Sequence, residues 1–464
     1  LAPAIAVFVF SQLIFYNEPK EVTTVRRATI ILTLLITGCL LALGLTTTQA
    51  ADHDLTNNTK PNFWVLSDPH FIAPSLHDQQ AAFKQITQTA AGKDLTDQPV
   101  ALHALVQTAL KKRPTAVIIT GDVTFNGELA SAKSLARRLR PLQKAGIHLL
   151  IIPGNHDING GWARKFSGKQ QSPTPQISPS AWRQIFADGY QNACAVDNDS
   201  LSYAVNLNKR YRLLLLDDNT YPTHTSTDAP NTGGKLKQST LLWLEGQLHS
   251  AKAAGQQTLV FTHHNLYAHS MMKQGWVLDN AAALRHILNR YHVPVFFSGH
   301  IHAQDIMAAP KQKHATIEIV SGSFSMTPAS YGVVTSTPHQ LHYQIRQLKL
   351  KPYLTAKQRQ QPSLVHYQRH LKKLFQQMND NMVAQHIKTN HALTKQQANV
   401  EINFLINANW RFETGNDFMT AQQLAKLKQT SGYKLAAHDS QLSGPLGTLN
   451  GDHNLPDHHL TLRY

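Results

Sequence analysis

The sequence predicts an α/β fold: a sandwich of two β-sheets flanked by helices, with a smaller helical domain at the C-terminal end. Three observations carry that expectation. Phe63 to Leu66, Ala116 to Thr120, His148 to Ile152, Leu259 to Thr262 and Val293 to Phe297 are short apolar runs with the β-branched and aromatic flavour of buried strands. Helix-like stretches alternate with the first three. After about Leu350 the composition turns from glycine-bearing to rich in Gln, Lys, His and Asn.

Residues 1–50 read as a leader, a signal peptide or a membrane anchor. Arg26 and Arg27 precede an apolar stretch from Ala28 to Leu45, and Thr46-Thr47-Thr48-Gln49-Ala50 offers small residues for cleavage after Ala50. The expectation is an exported chain, secreted or anchored at the outer face of the cytoplasmic membrane. The apolar stretch is long enough to be retained as an anchor. Ile36-Thr37-Gly38-Cys39 resembles a lipobox, but the residues after Cys39 stay apolar. The apolar run from Leu1 to Phe15 has no basic flank, and reads as an overextended gene start or as a second membrane segment.

From 61 to 350 a catalytic-type domain is expected. Ala101 to Lys111, ending before Pro114, and Glu128 to Lys144, closed by Gly146, are its first helices. Strand, helix, strand, helix, strand implies a parallel sheet covered on both faces, with right-handed crossovers. Leu201 to Val205, Leu213 to Leu216, Ala315 to Val320 and Leu341 to Leu350 are read as strands of a second sheet. Residues 158–181 read as a long polar loop in which Trp162 and Arg164 stand out. From 351 to 464, Ser363 to His386, Thr394 to Phe412 and Thr420 to Gln429 show helical apolar spacing, and a loosely ordered polar tail is expected from Gly432.

The chemistry sits directly after the apolar runs. Asp68-Pro69-His70, Gly121-Asp122, Gly154-Asn155-His156-Asp157, His263-His264 and Gly299-His300-Ile301-His302 follow them in order, at the strand ends where ligands gather in such sheets. Each piece alone has a bland reading: a turn for Gly121-Asp122, a surface histidine among the chain's 26 for any one His. Together they supply oxygen and imidazole donors for two divalent ions. Asp and His suit Mn, Fe or Zn, and the lack of cysteine in the set excludes a thiolate-rich structural zinc site. Two such ions hold the attacking hydroxide and a phosphoryl oxygen, so the motifs point to phosphoric ester hydrolysis.

The ordered set resembles the calcineurin-like metallophosphoesterase superfamily, whose pattern is Asp-x-His, Gly-Asp, Gly-Asn-His-Asp/Glu, His and Gly-His-x-His, over roughly residues 61 to 350. The resemblance implies a two-sheet metallophosphoesterase sandwich. It further implies that Asp68, His70 and His302 bind one metal and Asn155, His263 and His300 the other. Asp122 would bridge them, and His156 would be the non-ligand histidine that protonates the leaving oxygen or steadies phosphoryl charge. His264 beside His263 leaves that ligand choice open.

Two departures narrow the subfamily. The arginine that protein Ser/Thr phosphatases carry shortly after the bridging aspartate is missing from Val123-Thr124-Phe125-Asn126-Gly127-Glu128. Phe125 stands where purple acid phosphatases place an iron-binding tyrosine. The chain is most similar to class III cyclic nucleotide phosphodiesterases of the secreted Gram-positive type, through Thr120 to Glu128, Pro153 to Ile158, Trp162 to Phe166 and His263 to Leu266. That resemblance implies hydrolysis of 3',5'-cyclic nucleotides or similar phosphodiesters, with a helical C-terminal domain beside the catalytic one. The same site would serve a phosphomonoesterase or a wall-polymer phosphodiesterase, and a non-catalytic surface-binding protein is a third reading. Asn126, Trp162, Arg164 and His264 are candidate substrate contacts.

The net charge of +16, from 44 basic and 28 acidic residues, is dispersed. It favours an anionic phosphate ester substrate, and contact with anionic wall polymers or a membrane surface. No aromatic-interleaved basic motif indicates a specific nucleic-acid partner. Only Cys194 lies beyond the leader, so no intramolecular disulfide is expected in the mature chain, whose size suffices for a core.

Overall fold

The computed structural model describes residues 54–270, 273–309, 315–389, 393–438 and 455–463. The expected leader, Cys39 and the cleavage site after Ala50 lie outside them. No helix among the described residues is long and apolar enough to cross a membrane.

The strands in chain order are β1 (Asn62–Leu66), β2 (Ala116–Thr120), β3 (His148–Ile152), β4 (Arg164–Ser167), β5 (Gln170–Pro173), β6 (Ala195–Val196), β7 (Tyr203–Asn208) and β8 (Tyr211–Leu215). They continue with β9 (Gln257–Phe261), β10 (Val295–Ser298), β11 (Asp305–Ala308), β12 (Ile317–Val320), β13 (Ser330–Thr337), β14 (Gln340–Gln347) and β15 (His459–Arg463). A 6-stranded sheet runs β15-β14-β13-β1-β2-β3, and a 7-stranded sheet runs β11-β12-β10-β9-β8-β7-β6. In the first sheet the expected parallel strands β1-β2-β3 form one side, with antiparallel β13, β14 and β15 on the other. In the second, β8-β9-β10-β12 are parallel between antiparallel β11 and β7. The run from Leu341, read as a strand of the second sheet, lies in the first as β14, because it pairs along its whole length with β13.

Period-2 alternation divides the first sheet's residues between two cores. Phe63, Val65, Ile118, Leu150 and Ile152 face the second sheet, where they meet Val205, Leu213, Leu259, Phe261 and Phe297. The Phe261 and Phe297 rings stack at 4.8 Å, with Phe63 edge-on to both. Trp64, Leu66, Val117, Ile119 and Ile151 face outward, under the helices Gln98–Lys112 and Leu129–Lys144. Gly146, at φ +75° just past the second helix, takes the left-handed conformation its place requires. The outer face of the second sheet is covered by Gln238–Ala253 and Ala281–Arg290.

The C-terminal helices Tyr367–Thr389, Lys395–Glu413 and Ala421–Lys428 form where helical spacing predicts them. They do not stand apart from the catalytic part. Leu364, Tyr367 and Leu371 are buried in the same core as Trp64 and Leu105, and the Tyr367 hydroxyl donates to Asp94 at 3.0 Å.

Three further sequence expectations need correction. Residues 158–181 hold the hairpin β4-β5 and the start of the helix Pro179–Ile185, capped by the Ser178 hydroxyl, so the segment is not one long loop. The tail after Gly432 contains the helix Ser431–His438 and β15. β15 pairs antiparallel with β14, so a boundary at 350 does not confine the catalytic sheet to residues 61–350. Alternating Leu460 and Leu462 carry the signal for this strand, but its register depends on a partner more than a hundred residues away in the chain.

Candidate dinuclear metal centre

The loops after the strands are stitched together before any ligand is considered. Asp68 and His70 donate their backbone N–H groups to Gly121 and Asp122, zippering the loop after β1 to the one after β2. Gly299 N–H reaches the His263 carbonyl, which does the same for the loops after β9 and β10. His300 N–H to Asp68 Oδ2, at 3.1 Å, joins the two sheets. Ser323 and Ser325 hydroxyls donate to the Asp68 carbonyl from the segment after β12.

Asp68, His70, Asp122, His300 and His302 all lie in the left-handed region, with φ between 42° and 70°. Such backbones cost about 1–3 kcal/mol each in non-glycine residues and persist only where the surroundings over-determine them. Here they turn successive donors off the strand ends toward one point. Glycines permit the close approach: a Cβ on Gly299 would collide with Ser67 and Asp68, and one on Gly154 with Asp122.

Two donor groups result, Asp68, His70, Asp122 and His302 in one and Asp122, His263 and His300 in the other. His70 Nε2 lies 3.0 Å from His302 Nε2 and 3.5 Å from Asp122 Oδ2. On the other side, His263 Nε2 is 3.5 Å from Asp122 Oδ1, 3.1 Å from Asn155 Oδ1 and 3.2 Å from His300 Nδ1. Asp122 therefore offers one oxygen to each group. Asp68 Oδ1, 3.3 Å from His302 Nε2, is buried with no hydrogen-bond partner, as a ligand oxygen aimed at an ion would be. The all-N/O donor set and that orphan oxygen fit two divalent ions. Outer partners fix the rings, His263 Nδ1 on the Thr120 carbonyl and His300 Nε2 on the Gly275 carbonyl.

The electrostatics of the bare centre are those of a site built for cations. Burial opposes ionisation of Asp122, but His263, His156 and His70 hold its carboxyl well below the usual carboxylate range. Burial also works against a charged His263, yet Asp122, Asp68 and Asp218 push it up to about 10. Burial holds His70 and His300 well below their ordinary value, reinforced by Lys93 and by His264 respectively, which leaves neutral imidazoles with free lone pairs. An ion entering beside His263 must displace its proton.

His156 sits over this centre, its ring 5.2 Å from that of His70. Its Nδ1 is 2.8 Å from Asn126 Oδ1, which can only accept, so Nδ1 carries the hydrogen and the lone pair lies on Nε2. Asn126→Ala is expected to cut kcat about 10- to 100-fold with metal content unchanged, and Asn126→Asp to recover most of it. An alanine variant with wild-type kcat would remove Asn126 from this role.

The sequence-derived substrate contacts are placed variously. Asn126 is the His156 partner just described. Trp162 is 49% exposed at the tip of its turn. The Arg164 guanidinium donates to the Gly161 and Ala163 carbonyls, pinning its own loop. His264 is fully buried, with Nδ1 3.3 Å from Asp218 and Nε2 3.1 Å from the Thr232 carbonyl, so His263 and not His264 stands in the donor group with Asp122 and His300. Sequence reasoning assigned no role to Asp157, whose carboxylate accepts from Val123, Thr124 and Gly154 backbone N–H groups and holds two motif loops together. It also passed over Glu318, which accepts from Leu266, Tyr267, Ser298 and His269. Neither Lys93 nor Glu318 carries any local signal.

The profile of the calcineurin-like phosphoesterase family matches residues 61–304, more than half of the chain. The chain belongs to the calcineurin-like phosphoesterase family. The family resemblance read from the motifs holds, and with it the hydrolase class. A second profile, the C-terminal domain of cyclic nucleotide phosphodiesterase, matches residues 349–444.

Among curated relatives of this phosphoesterase, a probable cyclic nucleotide phosphodiesterase of Vesicomyosocius okutanii subsp. Calyptogena okutanii (strain HA) is 28% identical over 44% of this chain and 67% of its own length. Another, of Ruthia magnifica subsp. Calyptogena magnifica, is 33% identical, over 20% of this chain and 38% of its own. A solved dimetal phosphatase from Danio rerio is similar with a TM-score of 0.46 at 14% identity, covering 62% of this chain and 96% of that one.

Proposed function

We propose that this phosphoesterase is a phosphodiesterase acting on 3',5'-cyclic nucleotides or similar phosphodiesters, with two divalent ions drawn from Mn, Fe and Zn. The observation that carries the reading is Asp122, which turns one oxygen to each donor group beneath His156. The C-terminal profile match and the names of the two curated relatives support the cyclic nucleotide class. Two ions held by Asp68, His70, His302, Asn155, His263, His300 and the shared Asp122 would polarise the phosphoryl group and activate the attacking water.

The protein's own residues do the rest. Burial holds the resting His156 below its ordinary value, against the pull of Asp122. An arriving phosphodiester anion adds negative charge beside Nε2 and favours the imidazolium. Attack of water oxygen on phosphorus breaks the bond to the 3'-oxygen, the imidazolium of His156 gives that oxygen the proton on Nε2, and the proton the water sheds passes to solvent, from which Nε2 is protonated again for the next turnover. Asn126 keeps Nε2 aimed throughout. Trp162, exposed beside the strand-end loops, offers a ring face to a base, and export with contact to an anionic wall or membrane surface is part of the same reading.

Residues 51–464 loaded with Mn2+ should hydrolyse cyclic AMP and bis-p-nitrophenyl phosphate well above p-nitrophenyl phosphate. Turnover of the monoester alone would sink the diesterase reading, and no turnover of any ester with metal bound would sink catalysis.

A further inference from the structure

We propose that Lys93 is the cation that grips the substrate's phosphoryl oxygens, and that Glu413, at the end of a C-terminal helix, is its counter-charge when ionised. The proposal rests on the phosphoesterase reading and adds to it a residue that no motif contains.

Lys93 lies in the turn between the helices Ala81–Thr89 and Gln98–Lys112. Its backbone is locked to the metal loops. Asp94 N–H donates to the Ser325 carbonyl at 2.8 Å, and the Ser325 hydroxyl donates in turn to the Asp68 carbonyl at 3.1 Å. Gly92, at φ +80°, sets the direction of the turn against Met326 and Phe375. The neighbouring Asp94 is not available as a counter-ion, since its carboxylate already accepts from Thr96 and Asp97 backbone N–H groups and from the Tyr367 hydroxyl.

The half-buried Lys93 ammonium makes no hydrogen bond or ion pair among the described residues. Burial lowers its basicity, and the charges that act against this are those of Asp122, Asp68 and Glu413. Lys93 in turn acts on His70 and His156. An unpaired cation is thus held within the field of both the bridging carboxylate and the proposed acid. The arginine clamp absent after Asp122 leaves that position without a cation, and Arg164 is committed to its own loop. A phosphoryl group over the ions would meet Lys93 as a point-charge donor.

Glu413 is the carboxyl group that acts on this ammonium from the C-terminal helices. The residue is 8% exposed, and its Oε2 is buried with no partner, a costly arrangement for a carboxylate. Burial pushes its acid up to about 8, and Lys93 is the charge that opposes the shift. The helix end is fixed beside a ligand: Gln304 N–H donates to the Glu413 carbonyl at 3.2 Å, two residues beyond His302. The C-terminal helices thereby contribute a charge to the centre itself.

The test uses the metal-loaded chain and inorganic phosphate as the probe. Calorimetric phosphate affinity should fall about 10- to 100-fold in Lys93→Gln, with metal content unchanged, and recover in part in Lys93→Arg. At about pH 9, where Glu413 is ionised, Glu413→Gln should tighten phosphate severalfold, and that gain should vanish when Lys93→Gln is also present. Lys93→Met serves the same comparison if the glutamine variant does not fold. Unchanged phosphate affinity in a metal-replete Lys93 variant overturns the grip. An equal Glu413→Gln effect in both backgrounds overturns the counter-charge. If the wild type binds metal and phosphate but cleaves no ester, the phosphodiesterase reading fails, and the phosphate affinities still decide on Lys93.

Discussion

Asp122→Asn is expected to lower kcat/KM on the order of 10³-fold and to reduce bound metal from two ions to one or fewer. The substitution keeps an oxygen that accepts the His156 backbone N–H at 2.9 Å, so the loop after β3 has no reason to move. What it removes is the negative charge and the second oxygen. In the native centre those oxygens lie 3.5 Å from His70 Nε2 and 3.5 Å from His263 Nε2. Without the carboxylate, neither donor group keeps its shared anion, and ion chemistry worth several kcal/mol of transition-state stabilisation is lost. Metal analysis of the purified variant beside its turnover of bis-p-nitrophenyl phosphate measures both effects. Two ions retained with undiminished turnover would remove Asp122 from the bridge.

His156→Ala should separate proton transfer from metal binding. The ring stands 5.2 Å from that of His70 and belongs to neither donor group, so both ions are expected to stay. The loss of a positioned acid costs about 10²–10⁴-fold in kcat. A substrate with a p-nitrophenolate leaving group needs little protonation, so the loss should be smaller for bis-p-nitrophenyl phosphate than for cyclic AMP. Equal losses on both substrates would assign His156 to charge stabilisation instead, and unchanged kcat would assign it to neither.

The two effects and the Asn126 effect are coupled through one loop pair. Asn126 follows β2 and His156 follows β3, and Asp157 ties those loops with hydrogen bonds to Val123, Thr124 and Gly154. Asp157 is buried, and burial raises its acid to about 7, with the Asp122 charge adding to the rise. It is a positioning residue whose motif place was visible in the sequence and whose work was not.

Much of the centre is legible in the sequence because its donors sit within a few residues of apolar runs. Period-2 burial makes such runs recognisable, and parallel strands present their loops at one edge. The ambiguity between His263 and His264 shows where that logic stops. Adjacent residues on an extended segment point in opposite directions, and only the position of Asp122 against Asp218 determines which ring faces the ions. The same limit explains the misplaced tail: β15 has a strand's alternation, but an edge strand acquires its meaning from the neighbour it pairs with. Arg164 stands out in the polar segment 158–181 as a candidate substrate contact, whereas its guanidinium satisfies two carbonyls of its own turn.

The sequence by itself determined the fold class, the five strands that the motifs follow and the residue types of a two-ion site, since these follow from local hydrophobic period and from donor chemistry. The tertiary structure alone decided which oxygen of Asp122 serves which group, why left-handed backbones at five ligands are tolerated, and that Lys93 and Glu413 stand at the same centre. Those depend on distances between segments hundreds of residues apart, which only packing of the two sheets and the C-terminal helices can set.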